Sequence, residues 1–494
     1  SGTGHYPEYS YPFKSGEFYH VNDPMLNYLD LQPGSYRLRA TKGLEFDAAE
    51  TTVVIKEGET RNVRLNLPRE WPLGDWVSGD HHVHLFFHKD SLHPQMTISD
   101  VMKIAKGEGL NFVSFCGEWS EFTGNLGDHE IEADNHFVGE VGLESVNDFY
   151  GHMCTLNWKS VPVDGVPMRL VPWPMNIDTI RHLYSTGGAW VNAHPFDSIT
   201  PGHILEEMEN PRKLCNAREL PLILALQGHT NMDLLCHATP GGAELKTKEY
   251  YRLLNMGFKI GATASTDYYV DQARGTPGHN RTYVHVSRLD FDSIAEAYRR
   301  GRTYATNGPI VYLDVDGVQI GDELDLPAGG RTVRVTLKAY SRMGLSKAQI
   351  IVNGDTVRTI AAEGKRLNAS VDLDVRQSCW IAAYIEGPVN RDVEPWDLSP
   401  DQRNLKSQFA HTSPVYIKVG GQPIRPDPSD IAFLSSWLDA IMKAFRSQPD
   451  IWNGYPDEPY LASSYTAEDR ERITRTLKER IDAAKEALRS MLGS

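Results

Sequence analysis

Gly79-Asp80-His81-His82-Val83-His84-Leu85 is the stretch from which the rest of the chain is best read. Side chains of a strand alternate in direction, so His82 and His84 at a strand end face one way. Two neutral imidazoles on one side are a common beginning of a metal site. His81 falls on the other side by the same alternation, and the site is read without it. His88 and His93 follow on a loop that could line the mouth of such a site.

A metal site needs further ligands arriving from separate strands. Downstream, short apolar runs are followed by polar residues that could serve. They are Gly117-Glu118, Gly142-Leu143-Glu144, Gly151-His152, Ala193-His194-Pro195 and Thr266-Asp267-Tyr268-Tyr269. The strand candidates are 82–86, 112–116, 141–145, 190–193, 222–226, 260–264 and 282–286. Helix candidates lie between them at 98–107, 177–184, 246–256 and 293–300. Strand alternating with helix implies an α/β unit with a parallel, barrel-like or doubly wound sheet. In such units chemistry gathers at the C-terminal strand ends.

Outside this unit the pattern is β or helical. Residues 36–40, 52–55 and 63–67 alternate between polar turns and read as a small N-terminal β-sandwich over 1–70. Residues 311–420 read as a second sandwich, with Asn353-Gly354 as a hairpin turn. The segment 421–494 is a helical tail. It contains an amphipathic stretch at 431–446, an N-cap at Thr466, and an apolar stripe of Ile473, Leu477, Ile481, Leu488 and Leu492 that reads as packing on the body. The expected domains are therefore 1–70, 71–310, 311–420 and 421–494.

Bulk properties narrow the function. The 494 residues exceed one ordinary core. The net charge of −15 argues against nucleic acid as the main partner. No apolar run is long enough to span a bilayer. Five scattered cysteines make neither a disulfide framework nor a Cys-x-x-Cys site. Sandwich modules ahead of the α/β unit favour a secreted or periplasmic location, although free cysteines also suit the cytoplasm. A small-molecule substrate is expected, and a homo-oligomer stays open.

The ordered motifs resemble those of the polymerase-and-histidinol-phosphatase (PHP) superfamily, and within it the CehA/McbA-type metallohydrolases named for carbaryl hydrolases. The resemblance covers residues 79–309. It rests on Gly-Asp-x-His-Val-His, Gly-Leu-Glu, Gly-His, His-Pro and Thr-Asp in that order. The closing segment Gly301-Arg302-Thr303-x-x-Thr306-Asn307-Gly308-Pro309 adds to it. It implies a distorted seven-stranded β/α barrel flanked by the two sandwiches. His82, His84 and Asp267 would hold one divalent metal, with Glu144 bridging to a second completed by His152 and His194. Zinc, manganese and iron all suit such ligands. The chain departs from the family pattern at Cys116-Gly117-Glu118 and at Asp267-Tyr268-Tyr269. A third metal is therefore not expected, and Glu118 and Tyr269 would be freed for proton transfer or substrate contact.

Each auxiliary residue also has a plain structural reading. Glu118 is equally an ordinary strand-end carboxylate, and Tyr269 equally a packed aromatic. Arg281 is either an anion clamp or, preferably, a rim residue paired with a carboxylate. Gln227 and His229, after the run 222–226, are candidate substrate contacts. The expected reaction is attack of metal-activated water on an ester, carbamate or amide bond. The alternatives are phosphoester hydrolysis and, outside enzymes, a glycan-binding or adhesive protein with a degenerate barrel.

Overall fold

A computed structural model describes residues 11–13, 16–18, 31–84, 98–117, 132–165, 170–236, 242–268, 277–388, 408–448, 450–452 and 465–493. Strands β1 (Tyr11–Phe13) and β2 (Gly16–Phe18) form one antiparallel pair. Strands β3 (Gly34–Ala40) and β4 (Ala49–Ile55) form another. The alternating stretch 63–67 forms no strand. Among the described residues, 1–70 thus holds two separate two-stranded pairs rather than a sandwich. Alternation had suggested strands there, but β3 and β4 bury neither face fully, so nothing demands a second layer.

The body is mixed α/β. Its strands are β5 (Trp76–Val83), β6 (Phe112–Gly117), β7 (Glu132–Ala133), β8 (Val138–Asn147), β9 (Gly151–Leu156), β10 (Ala189–Asn192), β11 (His229–Leu235), β12 (Lys259–Ala264), β13 (Arg281–His285) and β14 (Thr303–Thr306). The sheet runs β12-β11-β10-β9-β8-β6-β5-β13-β14, with β7 beside β8. Strands β5, β6 and β8 are mutually parallel, as are β10, β11 and β12. Strand β9 is antiparallel to both of its neighbours, β8 and β10.

The sheet curls until the end of β5 meets the segment after β12. Val83 bridges Tyr268, the His84 amide donates to Tyr268 O at 2.8 Å, and the Tyr268 amide donates to His82 O at 3.2 Å. An exposed strand edge must satisfy its backbone groups. On β12 this falls to side chains: the amides of Ile260, Ala262 and Ala264 donate to Tyr416, Ser413 and Thr282 hydroxyls at 3.0, 2.8 and 2.9 Å.

The helices of this region are Ile98–Gly107, Asn176–Ser185, Ile204–Glu209, Leu220–Gln227, Gly242–Asn255 and Phe291–Arg300. The run 222–226 is therefore helix, not strand. Pro221 in the first turn and Gly228 at φ 77° after the last turn are the signals that outweigh its unbroken apolar character. The strand follows it as β11, hidden in the sequence by Asn231 and Asp233. Strand β9, too, was not among the strand candidates, although Cys154 lies in an apolar strand-like run.

The second β-region contributes β15 (Ile310–Val315), β16 (Val318–Gln319), β17 (Glu323–Leu326), β18 (Arg331–Tyr340), β19 (Lys347–Val352), β20 (Asp355–Ala361), β21 (Arg366–Val375), β22 (Cys379–Gly387), β23 (Gln408–Thr412) and β24 (Val415–Val419). Four strands, β16-β15-β18-β21, make one layer. The facing layer continues the large sheet, because β14 pairs with β23 and the path goes on through β22, β19 and β20. One core joins Leu313, Val335 and Leu337 to Ile350, Ile381 and Val415. A sheet that crosses residue 310 in this way replaces the expected self-contained second sandwich. Asn353 and Gly354 make the β19–β20 turn with φ 52° and 91°, which only a primed turn requires.

Two C-terminal helices, Pro428–Ser447 and Ala467–Ser490, pack on the body. Thr466 and Asp469 cap the second reciprocally. Ile473, Leu477, Ile481 and Leu488 are buried, whereas Leu492 lies past the helix end and is 47% exposed. None of the helices described is long and apolar enough to cross a membrane.

Candidate metal centre

Strand ends bring the candidate ligands together. His82 lies near the end of β5 and His84 just after it, Glu144 lies in β8, and His152 is the second residue of the antiparallel β9. His194 follows β10 and Asp267 follows β12. Both of the last two take left-handed backbone, with φ of 29° and 48°. Such angles are rare outside glycine and tend to occur at functional sites.

Two groups of ligand atoms result. In the first, His82 Nε2 lies 3.3 Å from Glu144 Oε2 and 3.2 Å from Asp267 Oδ1. His84 Nε2 lies 3.1 Å from each of the same oxygens and 3.0 Å from His82 Nε2. In the second, Glu144 Oε1 lies 3.0 Å from both His152 Nδ1 and His194 Nε2. His194 Nε2 is also 3.9 Å from Asp267 Oδ2. Ligands about 2.0–2.2 Å from one cation in a tetrahedron stand roughly 3.3–3.6 Å apart, close to these spacings. Imidazoles and carboxylates converging in a buried place are the donor chemistry that divalent cations take. The residues fit the implied metals. A third group, His82, Asp233 and Cys236, shares His82 with the first.

The electrostatics follow from crowding. Burial opposes protonation of His82, but the Asp267 and Glu144 charges prevail and hold its pKa well above the usual range. The same opposition, with hydrogen bonds to Asp267 and Glu144, raises His84 to about 9. Burial opposes protonation of His152 as well, but Glu144 and Asp148 outweigh it and raise the ring to about 9. Burial would raise Glu144, yet His82 and His152 hold it well below the ordinary carboxylate range. A cation would take the place of those protons, since ligating imidazoles must be neutral.

Asp80, not anticipated as a site residue, organises the surroundings. Its buried carboxylate accepts from the amides of His82 at 3.1 Å, Thr266 at 3.2 Å and Gly278 at 2.8 Å, and from the Thr266 hydroxyl. The Gly-Asp preceding His-x-His was the available signal. Asp233, also missed, binds His81, Thr263 and Ser265. His81 itself contacts Asp233 and the Tyr298 hydroxyl and belongs to neither ligand group. All five cysteines are buried and form no disulfide.

Other candidates lie elsewhere. Gln227 and His229 sit at the N-terminal end of β11, the far end from the Asp267 side of the sheet. There they line a cleft of about 470 Å³ with Lys259 and Arg299. Sequence proximity to an apolar run misled here, because that run is a helix leading into the start of the strand. Arg281 is buried and donates to the carbonyls of Gly278 at 2.7 Å and Glu108 at 3.1 Å, and among the described residues it pairs with no carboxylate. Glu118, Tyr269, His88 and His93 lie outside the described residues.

No protein-family model matches the chain, and no curated protein does. Several solved structures are similar to it in part. A two-domain protein containing a predicted PHP-like metal-dependent phosphoesterase from Bacteroides vulgatus is 12% identical. It matches over 66% of this chain and 95% of its own, with a TM-score of 0.35. PsfC from Pseudomonas syringae is 14% identical over 45% of this chain and 88% of its own, with a TM-score of 0.31. Endonuclease Q, solved with a 27-mer duplex bearing an abasic lesion, is 14% identical over 45% and 56%, with a TM-score of 0.29. These superpositions are partial.

Proposed function

We propose that this chain is a metal-dependent hydrolase holding two divalent cations. His82, His84, Asp267 and Glu144 would hold one, and Glu144, His152 and His194 the other. The observation that carries this reading is the Glu144 carboxylate, whose Oε2 faces the first group while Oε1 faces the second. When bound, such cations lower the pKa of a water and polarise the oxygen under attack.

The chain's own contribution is position and exclusion. The ligand side chains of the first group are almost wholly buried, so bulk water does not compete for them. Asp80 ties the end of β5 to the segment that presents Asp267. Glu118 and Tyr269 keep proton transfer or substrate contact as their proposed roles. Zinc, manganese and iron are all compatible with the donors.

The bond cleaved is a carboxylic ester, carbamate or amide, as the resemblance to CehA/McbA-type enzymes suggests, or a phosphoester, as the wider PHP resemblance suggests. A panel of aryl esters, carbamates, anilides and aryl phosphates separates the two. Turnover should vanish on exhaustive chelation and return with added zinc, manganese or iron. Undiminished turnover by metal-free protein would refute the reading. Elemental analysis finding no metal in protein purified without chelator would favour the glycan-binding alternative.

A further inference from the structure

His194 uses both ring nitrogens. Nε2 meets Glu144, and Nδ1 lies 2.5 Å from Nδ2 of Asn216. Asn216 is 5% exposed, and its side-chain Oδ1 is buried with no hydrogen-bond partner. This arrangement suits a ring carrying its proton on Nε2: Nε2–H donates to Glu144, and the carboxamide donates to bare Nδ1. It does not suit ligation. A cation beside Glu144 Oε1 needs the Nε2 lone pair, so the proton must sit on Nδ1, and Nδ1–H needs an acceptor.

A half-turn of the carboxamide exchanges Nδ2 and Oδ1. It presents Oδ1 to Nδ1–H and moves Nδ2 to the place where Oδ1 stands without a partner. We propose that Asn216 is a positioning residue that selects the His194 tautomer, donating to Nδ1 without a cation and accepting from Nδ1–H when one is bound. The proposal rests on the two-cation reading above.

The backbone around Asn216 is fixed for such a task. Asn216 O accepts from Asn192 Nδ2 at 3.0 Å, and that same group reaches His152 O at 3.3 Å. The Glu219 amide donates to Tyr150 O at 3.0 Å, and Arg218 Nη1 to Phe149 O at 2.8 Å. Gly151 has φ 111°, and a Cβ there would fall 2.1 Å from Asn216 O. Residues 216–219 are thus held against the turn that carries His152. One segment supports both histidines of the second group.

The test is a titration of metal-depleted full-length protein with zinc and with cobalt(II), followed by calorimetry and, for cobalt, by its visible absorption. Wild type should bind two cations. Asn216→Ala should weaken one of them roughly 10- to 100-fold and leave the other unchanged, the usual scale for removing an outer partner of a ligating histidine. Asn216→Asp keeps an acceptor and should restore binding to within a few-fold. Wild-type affinity at both sites in the alanine variant would overturn the role of Asn216 and leave the two-cation reading intact. Fewer than two cations in wild type would overturn that reading itself. Should the alanine variant unfold, ring-nitrogen NMR of ¹⁵N-histidine-labelled wild type decides. The resonance pair missing in His194→Gln should switch from Nε2–H to Nδ1–H on loading with zinc, and an unchanged tautomer would refute the proposal.

Discussion

The carboxylate of Asp80 accepts a hydrogen bond from the backbone amide of Thr266, 186 residues further along the chain, at 3.2 Å. The two residues adjoin ligands presented by strands six places apart in the sheet, since Asp80 precedes His82 on β5 and Thr266 precedes Asp267 after β12. One buried acceptor therefore fixes the separation of two donor atoms that must meet the same cation. Asp80→Ala would strand the amides of Thr266 and Gly278 inside the protein. At about 1–3 kcal/mol for each unsatisfied group, the two together should cost about 2–6 kcal/mol. Urea unfolding of the metal-free protein measures this, and a cost below about 1 kcal/mol would contradict it.

The two ligand groups should be separable by mutation. Asp267→Ala should remove the cation of the first group and His152→Ala that of the second, leaving one metal per chain in each case. Outer partners alone are typically worth 10- to 100-fold, so loss of a direct ligand should lower turnover more than about 100-fold. Metal content by elemental analysis, read beside the rate on the best substrate of the panel, checks both halves. Two metals retained in either variant would break the assignment.

His411 supplies a dependence of stability on pH that is independent of the metal centre. Burial drives its imidazole down to about 4 from the usual 6.5, although the Thr412 carbonyl it binds through Nδ1 acts in the other direction. Nε2 accepts from the Tyr251 hydroxyl at 2.8 Å, which fits a neutral ring. The unfolded chain takes up this proton below pH 6.5 and the folded chain only below about 4. Stability from this residue is therefore present above pH 6.5 and lost as the pH falls toward 4, on the order of 3 kcal/mol in all. His411→Asn should flatten the slope of unfolding free energy across that window. An equal slope in the variant would show that His411 does not titrate as described.

The C-terminal helix should contribute to the whole rather than form an appendage. Leu477 is fully buried in the core that includes Leu222 and Trp437, and Arg480 pairs with Asp178 at 2.5 Å. Leu477→Ala should cost about 2–5 kcal/mol through the cavity left behind. A single cooperative transition shifted to lower denaturant would agree with this. An unchanged main transition with early loss of helix would mean that the tail folds separately.

The residues that meet at the centre were legible in the chain because each is a His or carboxylate at the end of an apolar run. The helices 98–107 and 431–446 were legible because one-sided burial leaves a period in sequence. Where burial is complete, no period survives. The run 222–226, inside the Leu220–Gln227 helix, read as a strand for that reason, and β11 escaped notice because it carries buried polar residues, Asn231 donating to the Trp190 carbonyl and Asp233 accepting from two hydroxyls.

By itself, the order of amino acids determined which side chains could bind a cation, since donor chemistry belongs to the residue wherever it lies. It also determined the amphipathic elements, because local periodicity is imprinted in sequence. Tertiary structure alone decided that Asp80 joins β5 to Thr266. It alone placed His229 at the wrong end of its strand for that centre, gave Arg281 to backbone carbonyls, and ran one sheet across residue 310. Each of these depends on a distance between residues remote in the chain, and spacing along a backbone does not encode the direction in which a sheet curls.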